Sequence, residues 1–236
     1  MQAIIMAGGK GRRLRPYTTI LPKPLMPIGD IPILELILRQ LKYHGFQKVT
    51  LAVGYLSELL RAYFGNGQKW GIEITYSYED KNLGTIGPLS LINDLQDTFL
   101  VMNGDILTNL NYRKLFEFHQ QSEQLITIAS FIKQIQIDLG VLSTKHDLLT
   151  DYTEKPILNY QVSMGIYVMN RQILEFISHN KYLDIPSLMR ILLDRKKPPK
   201  IFQHKGKWLD IGRKEDYENA INEFDSMINE FLPEGK

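Results

Sequence analysis

The chain has 236 residues and a mass of 27.4 kDa, long enough for one large domain with a sizeable buried core. Its 28 Lys and Arg against 26 Asp and Glu leave a formal charge of +2, so no global basic field points to nucleic acid, and the absence of cysteine excludes disulfides, thiolate metal sites and cysteine nucleophiles. No apolar run approaches the roughly 20 residues of a membrane span, and Gln2 to Ala7 is too short for a signal-peptide core, so a soluble cytoplasmic protein is expected.

Gln2-Ala3-Ile4-Ile5-Met6-Ala7 is a short apolar run that suits a strand buried on both faces of a parallel sheet. It stops at Gly8-Gly9-Lys10-Gly11-Arg12-Arg13-Leu14. Three glycines let the backbone bend tightly and bring bare N–H groups against an anion, and the basic residues supply counter-charge, the chemistry of a phosphate cradle. The loop is neither a P-loop, since no Lys-Ser/Thr follows, nor a dinucleotide fingerprint, since Leu14 stands where the third glycine belongs. Lys23 lies between Pro22 and Pro24, which stiffen the backbone and aim its ammonium.

Ile31 to His44 carries Leu34, Ile37, Leu38 and Leu41 at helical spacing, with Gly45 where a C-terminal cap belongs. Lys48 to Val53 reads as a strand, Ser57 as the cap of a helix through Phe64, and Gly71 to Tyr78 as a further strand. This rhythm predicts an α/β domain whose ligands gather at the carboxyl ends of the strands. Glu79 to Leu89 is a second glycine-bearing loop, around Leu83-Gly84-Thr85, before a predicted helix from Pro88 to Leu95 that Thr85 would cap. The strand Thr98 to Met102 ends in Asn103-Gly104-Asp105, where a carboxylate at a strand terminus suits a hard divalent cation.

Asn111 is expected to cap a helix through about Gln121. Leu125 to Lys133, Ile137 to Ser143 and Leu149 to Glu154 follow as strands, with a turn at His146-Asp147. Helices are predicted at about Arg171 to Ile177 and Pro186 to Asp194, and short strands at Lys200 to Phe202 and Gly206 to Leu209. Asp210, set among Trp208, Leu209 and Ile211, would need a partner, either a lysine or a cation. Glu215 to Phe231 presents Tyr217, Ala220, Ile221, Phe224, Met227, Ile228 and Phe231 on one face of a docked helix.

The stretch Ala7 to Pro16, followed by Pro22 to Pro27, resembles the signature of the sugar-1-phosphate nucleotidyltransferases, with Arg12 where the family usually has threonine and the following arginine kept as Arg13. Leu83-Gly84-Thr85-Ile86-Gly87 is similar to the family segment beside nucleobase and sugar, in a form closer to the guanylyltransferase branch. Further resemblances are Asn103-Gly104-Asp105, Asp138-Leu139-Gly140-Val141, Glu154-Lys155-Pro156, Val162-Ser163-Met164-Gly165 with Ser163 in place of asparagine, and Trp208-Leu209-Asp210-Ile211-Gly212.

The resemblance implies a Rossmann-like three-layer α/β sandwich with a mixed, mostly parallel central sheet and a small sugar-binding β subregion. It would be a single catalytic domain over 1–236, with a nucleotide half to about 110 and a sugar half beyond. In this family Ala7, Gly8, Gly9, Lys10, Gly11, Arg12, Leu83, Gly84, Thr85, Asn103 and Gly104 would bind the nucleotide, with Arg13 and Lys23 at the reacting phosphates. Gly140, Glu154, Lys155, Ser163 and Gly165 would bind the sugar phosphate, and Asp105 and Asp210 a magnesium ion. The implied activity joins a nucleoside triphosphate, with GTP favoured, to mannose, heptose or aminosugar 1-phosphate and releases pyrophosphate. The alternatives are cytidylyl or thymidylyl transfer to glucose 1-phosphate, or a catalytically silent subunit. No nucleic-acid or membrane partner is expected, and the oligomeric state, with a homo-oligomer among the options, is left open.

Overall fold

The computed structural model describes residues 1–232, apart from the side chains of 223 and 225–227. Strand β1 (Gln2–Met6) is followed by 3-10 turns at Arg12–Leu14, Tyr17–Thr19 and Lys23–Leu25 and by the two-residue strands β2 (Pro27–Ile28) and β3 (Ile31–Pro32). Then come α1 (Ile33–Tyr43), β4 (Lys48–Val53), α2 (Ser57–Phe64), β5 (Glu73–Tyr78), β6 (Thr98–Asn103), β7 (Ile106–Thr108) and α3 (Tyr112–Gln120). The second half holds β8 (Ile126–Gln136), β9 (Gly140–Lys145), β10 (Leu148–Glu154), β11 (Ile157–Asn170), α4 (Ile185–Asp194), β12 (Lys200–His204), β13 (Trp208–Asp210) and α5 (Lys214–Phe231).

One seven-stranded sheet runs in the order β12-β8-β11-β6-β1-β4-β5. β6, β1, β4 and β5 are parallel, β12 is parallel to β8, and β11 runs antiparallel to both neighbours, β6 and β8. Alternation along the central strands separates two cores. Ala3, Ile5, Leu100 and Met102 join Leu34 of α1, Leu60 of α2, Leu115 of α3 and Phe224 of α5 on one side, while Ile4, Phe99 and Val101 join Leu188 and Leu192 of α4 on the other. This is the expected three-layer α/β sandwich with a mostly parallel sheet. Each such side chain removed from water contributes about 1.5–3 kcal/mol, so β1 at the centre anchors the loop that follows it. Among the described residues no helix is long and apolar enough to cross a membrane.

Several elements depart from expectation. Ser57 is the first residue of α2 and makes no capping bond; Leu56, in a left-handed conformation at φ 55°, turns the chain into the helix instead. The helix expected from Pro88 to Leu95 is a 3-10 segment, Gly87–Leu91, and the one at Arg171 to Ile177 is 3-10 over Arg171–Phe176. Both are too short and too dependent on neighbours to sustain α-helical bonding. Asn111 caps α3 as expected, its Oδ1 accepting from the Lys114 N–H at 2.9 Å. The turn at His146-Asp147 is present with both residues at positive φ, as a two-residue hairpin turn requires. On α5, Tyr217, Ala220, Phe224 and Phe231 are buried but Ile221 is 41% exposed, and the Met227 side chain lies outside the described residues.

Candidate active site

A cleft of about 1030 Å³ opens over the carboxyl ends of β1 and β6, walled by Gly8–Arg13, Lys23, Asn103–Asp105 and the segment around Glu79 to Thr85. The glycine loop is held from below. Gly11 sits at φ +57°, and its carbonyl accepts from the Thr18 hydroxyl at 2.7 Å and the Leu14 N–H at 2.9 Å. A Cβ on Gly8 would stand 2.5 Å from the Glu79 carboxylate, so any larger residue there would push the Glu79 side chain aside. Gly9 is different: a Cβ there would meet nothing within 4 Å, and its bare backbone is turned to the open cleft. Arg12 and Arg13 begin the next turn, both exposed and both lining the cleft.

Opposite the loop stands a charged cluster. The 3-10 turn after Pro22 closes through Met26 N–H to the Lys23 carbonyl at 3.0 Å, and Lys23 Nζ forms an ion pair with Asp105 Oδ2. Gly104 N–H donates to the Met6 carbonyl at 3.1 Å, which joins the β6 terminus to the β1 terminus. Pairing of β13 with β7 sets Asp210 across from Ile106, and Ile211 N–H donates to the Asp105 carbonyl at 3.2 Å. Two aspartates distant in sequence thereby meet. Asp210 keeps an edge open to solvent, yet the protein crowded around it, reinforced by the Asp105 charge, raises its carboxyl above the usual carboxylate range against the opposing pull of Lys23 and Arg13.

One atom of this cluster is unsatisfied. Asp105 Oδ1 is buried and has no hydrogen-bond partner, while its sister oxygen holds Lys23. An orphaned carboxylate oxygen on a residue whose charge is felt by a second, crowded carboxylate fits an oxygen-seeking divalent cation. Among the described residues no cluster of three or more acidic or histidine side chains forms a complete cage, so a cation here would draw its remaining oxygens from water or a phosphate substrate.

The Glu79 to Thr85 wall contains a residue the sequence reading passed over. Glu79 is half-buried against Gly8 and Gly54, its Oε2 accepts from the Leu83 N–H at 3.1 Å, and burial pushes its carboxyl up. The only sequence signal was its place immediately after a strand that ends at the cleft. Leu83 itself is fully buried and does not face the cleft, whereas Gly84 and Thr85 do. Thr85 caps a helix, but not its own: its Oγ1 accepts from the N–H of Ile185, the first residue of α4, at 3.0 Å. Leu183 completes this docking, accepting from Ile86 and Gly87, each at 3.1 Å.

The residues expected for the sugar phosphate divide. Gly165, at φ +73°, is pressed against Asn103, where a Cβ would lie 2.7 Å from Asn103 Nδ2. Ser163 is tied to Tyr167 by a 3.1 Å hydroxyl pair and accepts from Gly165 N–H at 3.3 Å. Gly140 and Glu154 form a cross-strand pair at the foot of the β9–β10 hairpin, outside the walls of the cleft. The Tyr152 hydroxyl covers Gly140 and donates to Glu154 at 2.7 Å. Lys155, exposed and at φ +45°, follows immediately.

Residues 2–226 match the nucleotidyl transferase family. Over 94% of its length the chain is 32% identical to a UTP–glucose-1-phosphate uridylyltransferase of Synechocystis, and over 99% it is 29% identical to a mannose-1-phosphate guanyltransferase of Yarrowia lipolytica. It spans 62% and 67% of those two proteins' lengths. The fold superposes on HddC from Yersinia pseudotuberculosis, solved with GMP-PN, with a TM-score of 0.71 at 24% identity, covering 94% of this chain and 99% of that one. With the family match running over nearly its whole length, the chain belongs to the nucleotidyl transferase family.

Proposed function

We propose that this protein joins a nucleoside triphosphate to a sugar 1-phosphate, releasing pyrophosphate and a nucleotide sugar. The observation that carries the reading is the unpartnered Oδ1 of Asp105, a residue that lines the cleft with Lys23 and the glycine loop and whose charge bears on Asp210. A phosphate oxygen of the sugar 1-phosphate attacks the α-phosphorus as the bond to the β-phosphate breaks, so the protein need supply only alignment and charge neutralisation. Bare N–H groups at Gly8 to Gly11 receive the phosphates, Arg13 takes the departing pyrophosphate, and Lys23 moves from Asp105 to the reacting phosphate. Lys155, Glu154, Gly140, Ser163 and Gly165 would receive the sugar phosphate. Asp105 and Asp210 would hold magnesium, which when bound supplies positive charge at the α-phosphate. The reading treats the chain as one catalytic domain acting in the cytoplasm, where nucleoside triphosphates are abundant.

Relatives acting on both guanine and uracil nucleotides match this chain, and a uracil nucleotide was outside the sequence expectation. Glu79 favours guanine: a carboxylate accepts from two adjacent donors, and guanine offers N1–H and its 2-amino group side by side. Uracil offers one N–H between two carbonyl acceptors that a carboxylate repels. A pyrophosphate-release panel crossing GTP, UTP, CTP and dTTP with mannose, glucose, heptose and aminosugar 1-phosphates under magnesium tests the reading. Turnover with GTP and mannose 1-phosphate or a related sugar is expected. Nucleotide binding with no turnover for any pair would instead favour a silent subunit.

A further inference from the structure

The Gly84–Thr85 wall of the cleft is built from two segments 100 residues apart. Leu183 N–H donates to the Leu83 carbonyl at 2.9 Å, adding to the bonds that the Leu183 carbonyl and the Ile185 N–H make to the same turn. Asn180 N–H donates to the Ser90 hydroxyl at 3.1 Å, so the chain is held on both sides of Tyr182. Gly84, at φ +80°, lets the segments close. A Cβ there would stand 2.5 Å from the Leu183 carbonyl oxygen and 3.2 Å from Tyr182 Cε2. The edge of the Tyr182 ring therefore lies beside bare backbone, at the wall of the cleft.

The packing of the protein does not explain this ring. Among the described residues that line the cleft, only Tyr55 and Tyr182 are aromatic. Tyr55 is engaged, its hydroxyl donating to the Thr19 carbonyl at 2.9 Å. Tyr182 is 60% exposed and joins neither apolar core. Its backbone is already fixed by long-range bonds, so a ligand that covers the ring has little further order to impose.

What stands next to the ring selects its occupant. Leu83 N–H, one residue before Gly84, donates to Glu79 Oε2, so a carboxylate and an aromatic face bear on the same short turn. A flat ligand can give its edge to one and its face to the other, and a nucleobase has both. A pyranose has no such flat edge, and Gly140 and Glu154, assigned above to the sugar phosphate, lie outside these walls. We propose that Tyr182 is a stacking platform for the base of the nucleoside triphosphate: Glu79 selects the base by its edge, and Tyr182 holds it by its face. The inference rests on the proposed activity only in requiring a nucleoside triphosphate in the cleft. Stacking on an aromatic ring accepts every base and grows with the area covered, so a purine gains more than a pyrimidine.

Isothermal titration calorimetry without sugar 1-phosphate tests the platform independently of turnover. The wild type should bind GTP more tightly than inorganic tripolyphosphate, which carries the same phosphates and no base. Tyr182→Ala should weaken GTP binding at least ~10-fold, weaken UTP binding less, and leave tripolyphosphate binding unchanged. Tyr182→Phe, which keeps the ring, should bind as the wild type does, whereas Tyr182→Leu, which keeps bulk without a π-face, should fall with the alanine variant. The melting temperature should not move, because the side chain is exposed. Unchanged GTP affinity in the alanine and leucine variants overturns the platform, as do equal losses for GTP and tripolyphosphate. A raised KM for the sugar 1-phosphate with GTP affinity unmoved gives the ring to the sugar and likewise overturns it. A wild type that binds GTP through Tyr182 but turns over no sugar 1-phosphate refutes the proposed transfer and leaves the platform standing.

Discussion

Replacing Asp105 by asparagine separates a catalytic carboxylate from a structural one. The side chain keeps its shape and loses only its charge. In the native protein that charge pairs with Lys23, their side chains being 20% and 11% exposed, so losing the pair costs about 1–2 kcal/mol after allowance for solvent screening. The same charge crowds Asp210, and its removal returns about 1 kcal/mol of repulsion. Stability should therefore change by less than ~1 kcal/mol, a shift of only a few degrees in Tm. Catalysis has no such compensation, because the orphaned Oδ1 is replaced by a group that cannot bring negative charge to a cation. A loss of at least ~10³-fold in kcat/KM, or about 4 kcal/mol, is expected. Thermal melts with and without magnesium chloride, beside pyrophosphate-release kinetics, measure both sides. Magnesium should raise the Tm of the wild type in the presence of nucleotide and leave the variant unmoved. A variant within tenfold of wild-type activity that still responds to magnesium refutes the role assigned to Asp105, and one destabilised by more than ~3 kcal/mol makes it a folding residue.

Gly165→Ala forces a side chain into a left-handed backbone and against Asn103 and Ile106, at a cost of about 2–4 kcal/mol; urea denaturation should show a lowered midpoint with an unchanged slope, and a midpoint equal to wild type would contradict the packing. Glu79→Gln replaces one acceptor with a donor, so the ratio of kcat/KM for GTP over UTP should fall at least ~10-fold, and an unchanged ratio would remove Glu79 from base selection. Burial lowers the His119 imidazole below its ordinary value of 6.5, with Lys200 assisting and Asn170 opposing, and burial likewise lowers His44 and His204. The folded state resists protons that the unfolded chain accepts, so this stability is fully present above pH 6.5 and is lost as pH falls below it. Denaturation midpoints at pH 7.5 and 5.5 should differ in that sense, and His119→Gln should reduce the difference.

The elements that sequence made legible are those whose causes are local. β4 and the Asn111 cap follow from apolar patterning and a side chain bonding three residues ahead, and the His146-Asp147 turn from the gap between two strand-like runs. Gly8, Lys23 and Asp105 could be singled out because glycine, proline and strand-end chemistry act over a few residues. What stayed hidden depends on partners far along the chain. Thr85 looked like the cap of the segment after it, but the N–H it satisfies belongs to Ile185, a hundred residues on. Leu83, within the segment expected beside the nucleobase, is buried in the core. β11 extends from Ile157 to Asn170 with a shift in its register to β8 between Ser163 and Tyr167, a length set by β8 and β6 on its flanks rather than by any pattern in the strand itself. Glu79 drew no attention because nothing in its neighbourhood of sequence reveals that Gly8 and Gly54 close over it.

The cation site proposed at Asp105 and Asp210 would record folding order. Asp105 is fixed once β6 lies beside β1, but Asp210 arrives only when β13 pairs with β7. A polypeptide folded as far as β12 would already present the glycine loop, Lys23 and half a pair of carboxylates. It could attract a triphosphate electrostatically and yet lack the second acid proposed to retain a cation. Magnesium affinity, followed during refolding, would report the final step of assembly rather than the first collapse.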